Sequence, residues 1–318
     1  MEEKVNGMQE ETMEMTDGFG HSPFCYHQGM AMDLENKKCF CSQREINKLI
    51  GKGFITEPDI QLMKVLYEHG YLSRRTASEI IQHDAEIVPI NKRKEYKNSF
   101  RKLVKLGVLH RFLPTWGEDR ECHSPCLYSL SAGASLYIER LYQKDASYFR
   151  HINRLAGDTP EIMLNSAVAG QFHGNVLRFR QEKVKKAYIN YSFSVHKEKY
   201  LLPLLYKLEG GGLELDIAVI PVRTNEGHGK AAAHLMLAVH ALSKREGGIL
   251  RSPIFVFVCE NSGHARNLAV EIKKAGLRNM AALYCLDRGL VSGDAFKSMF
   301  TLEEEEDGYV MQMWEVCV

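Results

Sequence analysis

Seven basic residues, Lys92, Arg93, Lys94, Lys97, Arg101, Lys102 and Lys105, crowd one short stretch against a single acid, Glu95. Side chains of this kind neutralise phosphates and release the counterions condensed on a polyanion, and Asn91 and Asn98 among them can reach base edges. Arg74 and Arg75 upstream, with Arg111 and Arg120 downstream, would add backbone contacts. A second group has the chemistry of zinc ligands: His21, Cys25, His27, Cys39 and Cys41, followed far along the chain by Cys122-His123-x-x-Cys126. Cys39-x-Cys41 is tighter than the usual ligand gap. The ordinary reading, reduced cysteines in an irregular arm, therefore stands beside a metal site built from Cys39, Cys41, Cys122 and Cys126. A third feature, Asn225-Glu226-Gly227-His228-Gly229-Lys230, is a glycine-rich turn too short and wrongly spaced for a phosphate-binding P-loop.

Periodicity indicates the elements that must carry these residues. Phe100, Leu103, Val104 and Leu106 recur at helical spacing through the basic stretch, which makes it an amphipathic helix with cations outward. Gly107 stops that helix and residues 108–112 follow as a β-rich run. Upstream, Thr56 caps a helix with Pro58 in its first turn and Ile60, Met63, Leu66 and Tyr67 as its apolar stripe; Gly70 ends it, and Ser73 caps the next, RRTASEIIQ. Helix, short turn, helix, basic helix, strand, loop and a return strand over 126–130 is the order of a winged helix. The rival reading of the same charge is a solvated helix face.

Farther on, Thr159-Pro160-Glu161 opens a helix through Phe172, and residues 187–195 and 213–222 read as strands. An apolar helix, AAAHLMLAVHAL, precedes the continuous apolar run 253–259, a helix over 263–275 and a strand over 280–286. Strands alternating with helices predict an α/β domain whose sheet is at least partly parallel. The acidic run 303–307 reads as a solvated loop before an edge strand.

A chain of 318 residues makes two domains, and a net charge of +1 confines any polyanion footprint to one region. No apolar run approaches the roughly 18 residues that span a bilayer, and the acidic start lacks a signal-peptide core, which predicts a cytoplasmic protein. The eight cysteines form no regular framework and are expected as thiols. The organisation expected is an acidic tail and Cys/His arm over 1–53, a winged helix-turn-helix domain over 54–155 and an α/β domain over 156–318.

From about Phe54 to Leu290 the chain is similar to the replication-relaxation family of bacterial plasmids, phages and integrative conjugative elements. The segments that carry the resemblance are FITEPDIQLMKVLYEHGYLSRRTASEII, RKLVKLGVLHRF, CLYSLSAGASLYIERL, LELDIAVIPV, SPIFVFVCEN and AALYCLDRGL. It implies a winged-helix DNA-binding domain joined to a restriction-endonuclease-like domain with a mixed sheet, acting in replication or mobilisation of a mobile genetic element. A nuclease of that kind needs strand carboxylates and a lysine to hold Mg²⁺ and activate water. Asp216 and Glu214, two apart on one strand face, are the candidates, with Glu161 and Lys230 as stand-ins. Ala218 stands where the lysine belongs, so the expectation is an inactive scaffold that needs no cofactor.

The function expected is that of a DNA-binding accessory protein. Double-stranded DNA would be contacted by Arg74, Arg75, Asn91, Lys92, Arg93, Lys94, Lys97, Asn98, Arg101, Lys102 and Arg111. A Mg²⁺-dependent endonuclease or relaxation enzyme, and an adaptor for a relaxase or replication protein, are the alternatives. Whether the protein binds as a homodimer stays open.

Overall fold

The computed structural model describes residues 22–35, 41–84, 93–116, 124–142, 158–210, 213–224, 227–245, 249–277, 280–305 and 308–314; in the basic helix, side chains are described from Asn98 onward. The expected acidic tail and the boundary near residue 155 lie outside these residues.

In the N-terminal half, α1 (Gln43–Gly51) starts at a capping box in which Ser42 and Glu45 satisfy each other's backbone amides. Thr56 and Asp59 do the same for α2 (Glu57–His69), with Pro58 in its first turn. After β2 (Leu72–Ser73) the Ser73 hydroxyl caps α3 (Arg74–His83), and α4 (Arg93–Lys105) follows. Gly107, at φ 69°, turns the chain into β3 (Leu109–Thr115), which returns as β4 (Leu127–Leu130) before α5 (Ala132–Leu141). The strands pair antiparallel in the order β1-β3-β4-β2, where β1 is Ala31–Leu34. Leu62, Leu66, Tyr67, Ile80, Phe100, Leu103 and Leu109 fill the core between helices and sheet.

Residues 22–35 and 41–51 form more than an irregular arm. β1 adds an edge to β3, and α1 packs on α5 so closely that a Cβ on Gly133 would lie 2.2 Å from the Cys41 carbonyl oxygen. Backbone cannot retreat as a side-chain tip can, so Gly133→Ala is expected to destabilise the protein by about 1–3 kcal/mol. Chemical denaturation would show it as a lower midpoint at unchanged slope.

In the C-terminal half, α6 (Pro160–Arg180) leads into β5 (Val184–Val195), β6 (Glu198–Gly210) and β7 (Leu213–Pro221). Then come α7 (His228–Ser243), β8 (Ile254–Cys259), α8 (Ser262–Lys274), β9 (Ala282–Leu286), α9 (Asp287–Ser292), β10 (Phe300–Glu305) and β11 (Gly308–Met313). The seven strands lie in the order β11-β10-β9-β8-β7-β6-β5; β7, β8 and β9 are parallel neighbours and the other pairs antiparallel. Alternation divides the sheet between two cores. Ala218, Ile220, Phe255 and Phe257 face α7 and α8, while Ile217, Val219, Val256 and Val258 face α6. The chain is thus α/β with a mixed sheet plus a smaller antiparallel one.

Two elements depart from expectation. β6 is absent from the sequence reading because Pro203 interrupts LLPLLY; the sheet accommodates it by leaving Pro203 opposite Asn190, whose φ of 52° takes that pair out of the ladder. The acidic run begins inside β10, where Glu303 pairs with Val310 and Glu304 with Tyr309 across a hairpin.

Helix α6 joins the halves. Its Gln171 accepts from the Thr76 hydroxyl at 2.8 Å and donates to Glu79 at 3.1 Å, and its Ser166 accepts from the Tyr71 amide. At the centre of this contact the rings of His69 and His173 lie 5.2 Å apart, both buried. His173 Nδ1 shares a hydrogen bond with the Tyr206 hydroxyl at 2.8 Å, whereas neither ring nitrogen of His69 has a hydrogen-bond partner among the described residues.

Candidate functional site

The cations expected to meet phosphate divide into exposed and engaged groups. Arg74 and Arg75 are exposed on the first turn of α3. On α4, Asn98, Arg101 and Lys105 form one exposed stripe, opposite the buried Phe100, Leu103 and Val104. Lys102 instead turns back to Asp59, whose side chain is fully buried. Burial raises the Asp59 carboxyl, but hydrogen bonds from Lys102, the Thr56 amide and hydroxyl, and Ser99 outweigh it and hold the group below the ordinary carboxylate range. Lys102 therefore anchors α4 to α2. Lys102→Met is expected to cost about 1–3 kcal/mol by stranding that carboxylate, while Lys105→Met stays within about 0.5 kcal/mol; urea unfolding separates the two.

Arg111 is engaged as well, donating to both Glu35 oxygens at 3.0 and 3.1 Å and to Cys126 Sγ at 3.5 Å. Asn91 and Lys92 lie outside the described residues, as do Cys39, Cys122 and Arg120. Arg93, Lys94 and Lys97 fall on α4, in the part whose side chains are not described. Cys41 is buried with its thiol toward the Ser42 carbonyl. Among the described residues no three His, Cys, Asp or Glu converge on a point that could hold a metal ion.

Neither strand carboxylate stands open. Glu214 is exposed and pairs with Lys185 at 2.8 Å on β5, and Asp216 is buried, accepting from Lys207 Nζ at 3.1 Å and the Arg251 amide at 2.5 Å. Lys230 follows the opposite end of β7. Glu161, at the start of α6, accepts from the Tyr26 hydroxyl. The four proposed nuclease groups are thus not brought together as a metal-binding set.

What sequence reasoning missed lies at the carboxyl ends of the three parallel strands. Arg223 follows β7, Glu260 follows β8 and Asp287 follows β9; Arg223 and Asp287 are fully buried, and Glu260 nearly so. Arg223 Nη1 and Nη2 donate to Asp287 Oδ2 and Oδ1 at 2.5 and 2.9 Å, and further to the Phe24 and Val258 carbonyls. Burial pulls the guanidinium pKa down and Asp287 pulls it up, with a net rise. Glu260 Oε1 accepts from the amides of Tyr26 and Thr224, and Oε2 from the Thr224 hydroxyl at 2.6 Å and the Cys25 thiol at 3.6 Å. Ser22 donates to Asp287. Residues 22–26 are therefore threaded through a buried charge network, and burial, reinforced by Glu260, pushes the Cys25 thiol up to about 12. The signal was present in the sequence: PVR, VCE and CLD each place one charge directly after an apolar strand.

This edge is where ligands bind in open parallel sheets. Beside the network opens a cleft of about 550 Å³. It is lined by His264, Asn267, Leu268 and Glu271 of α8, by Thr224, Gly227, Gly229 and Lys230 around the start of α7, and by Tyr26 and Gln28. His264 Nδ1 accepts the Glu260 amide at 3.4 Å, and burial, with Arg223 next, pushes its imidazolium down to about 4, so the ring is neutral at pH 7.

No helix among the described residues is long and apolar enough to cross a membrane. No protein-family model matches the chain, and no curated protein is similar to it.

Proposed function

We propose that the protein binds duplex DNA through its N-terminal half, read as a winged helix, and serves as an accessory factor in replication or mobilisation of a bacterial mobile element. The observation that carries this reading is the exposed set Arg74, Arg75, Asn98, Arg101 and Lys105, displayed by two successive helices whose other faces are buried in one core. The order α2, β2, α3, α4, β3, β4, with β2 and β3 on either side of β4, supports the winged-helix assignment. Cations at the start of α3 would fix the backbone register, and Asn98 and Arg101 would reach base edges. The succession α6, β5, β6, β7, α7, β8 supports a restriction-endonuclease-like scaffold for the second half. Engagement of Glu214 and Asp216 by lysines supports an accessory role over cleavage.

The test is fluorescence anisotropy of labelled duplex with the full chain, with and without Mg²⁺. Arg74→Glu/Arg75→Glu/Arg101→Glu is expected to weaken binding at least 100-fold at about 100 mM salt, on a scale of roughly tenfold per 1.4 kcal/mol. Unchanged retention in that variant favours the relaxase-adaptor reading, and Mg²⁺-dependent shortening of the duplex favours a nuclease.

A further inference from the structure

We infer that the duplex-binding surface does not end with the winged half: the groove between α3 and α6 takes a backbone phosphate of the same duplex, and Arg178, from the C-terminal half, extends the row of cations that Arg74, Arg75 and Arg101 begin. This rests on the duplex-binding reading and deepens it.

The groove follows from how closely the two helices pack. A Cβ on Gly170 would lie 2.1 Å from Leu72 Cδ2, and one on Gly174 would meet Ile80 and Glu79 at 3.5 and 3.6 Å, so bare backbone lets α6 lie against α3. Gln171 and Arg178, two turns apart on α6, then meet Glu79 together. Gln171 Nε2 donates to Glu79 Oε2 at 3.1 Å and Arg178 Nη1 to Oε1 at 3.3 Å. Beside this contact lies a groove of about 590 Å³, lined by Arg75, Ser78, Gln82 and His83 at helical spacing on α3 and by Arg178 on α6.

Two observations point to an anion there. The charges of the lining do not cancel, because the guanidiniums of Arg75 and Arg178 stand against one carboxylate, Glu79, both of whose oxygens already accept hydrogen bonds. Arg178, moreover, is exposed yet held. Glu79 on one side and the Phe179 ring, 4.7 Å from its guanidinium carbon, restrain the group while about 47% of its side chain stays open to solvent. An arginine restrained in this way loses little further freedom on meeting phosphate, and its planar fork has donors beyond the one that Glu79 takes. Arg180, in the same last turn of α6, shows the contrast: it closes on Asp294 at 2.7 Å and is largely withdrawn from solvent. A phosphate in the groove meets Arg75 from one half and Arg178 from the other, which ties the C-terminal half to the duplex.

The test is anisotropy of labelled duplex with the full chain across a salt series. Arg178→Gln should weaken binding about tenfold at about 100 mM salt and lower the slope of log K against log salt by about 0.9, equally for unrelated duplex sequences, since a phosphate contact carries no base information. Combined with Arg75→Gln, the slope should fall by about 1.8. Arg178→Lys, which keeps the charge, should retain most of the slope. Glu79→Gln removes the carboxylate but keeps a side chain able to bond Gln171, and should bind at least as tightly as wild type. A merely structural Arg178–Glu79 pair would make the two neutralisations act alike, so weakening by both Arg178→Gln and Glu79→Gln, or by neither, overturns the inference. Loss of duplex binding in the Arg74, Arg75 and Arg101 variants with a wild-type slope in Arg178→Gln overturns it while the winged-helix reading stands; failure of the unaltered chain to retain duplex overturns both.

Discussion

Asp287→Ala is expected to destabilise the protein by about 3–5 kcal/mol, the range found when one partner of a buried ion pair is removed. The cause is the guanidinium left behind. Arg223 is fully buried, and without Asp287 its remaining partners are two carbonyls, the Asn165 side chain and Glu260 at 3.8 Å. Arg223→Met should cost a comparable amount, because Asp287 then stands uncompensated in the same interior. The double variant Arg223→Met/Asp287→Ala should cost less than the sum of its parts by about 1–3 kcal/mol, the signature of direct coupling. Glu214→Ala, which removes an exposed pair, should fall within about 0.5 kcal/mol of wild type. Equilibrium urea unfolding at pH 7.5 measures all four. A loss below about 1 kcal/mol for Asp287→Ala would mean the network is hydrated or dispensable.

The second large effect is a fall in stability on mild acidification. Burial holds His173 to about 4, His264 is likewise pushed to about 4, and His69 is driven well down by burial and then by His173. In each case the folded pKa lies below the unfolded value near 6.5, so the unfolded chain binds more protons between the two. Stability is therefore complete above about pH 6.5 and is lost as pH falls toward 4. One histidine shifted this far contributes about 3 kcal/mol across that window. The lowered carboxylates Asp59 and Glu161 act at lower pH, because their folded pKa values lie below the ordinary carboxylate range. His69→Leu isolates one member: its ring nitrogens have no hydrogen-bond partner among the described residues, so stability at pH 7.5 should hold or rise while the slope between pH 6.5 and 4.5 flattens by up to about 1.4 kcal/mol per unit. An unchanged slope would show that His69 titrates in the folded protein as it does in the unfolded chain.

The elements were legible where local rules act alone. Ser73, Thr56 and Pro58 announce helix starts, Gly70 and Gly107 the ends, and the runs 253–259 and 280–286 read as strands, which form over Ile254–Cys259 and Ala282–Leu286. β6 was hidden because its compatibility with Pro203 depends on the conformation of Asn190, a residue of the partner strand. The capping box of α1, Ser42-x-x-Glu45, is a local signal of the same kind, set among the Cys/His residues. The candidate sites show the same division. An amphipathic stripe indicates which face of α4 is outward, yet cannot reveal that Lys102 is diverted to Asp59 or Arg111 to Glu35, since both acids approach from distant elements. The Arg223 network was the least accessible, because its partners lie 35 to 265 residues apart and join only when three parallel strands align.

The most direct test of the proposed DNA-binding surface is the dependence of duplex affinity on salt for wild type and for single neutralisations, Arg74→Gln, Arg75→Gln and Arg101→Gln. Each removed phosphate contact should reduce the slope of log K against log salt by about 0.9 and weaken binding at fixed salt, whereas Glu214→Gln and Asp216→Asn leave the slope unaltered. Slopes indistinguishable from wild type in all three arginine variants would contradict the assignment of that surface to DNA.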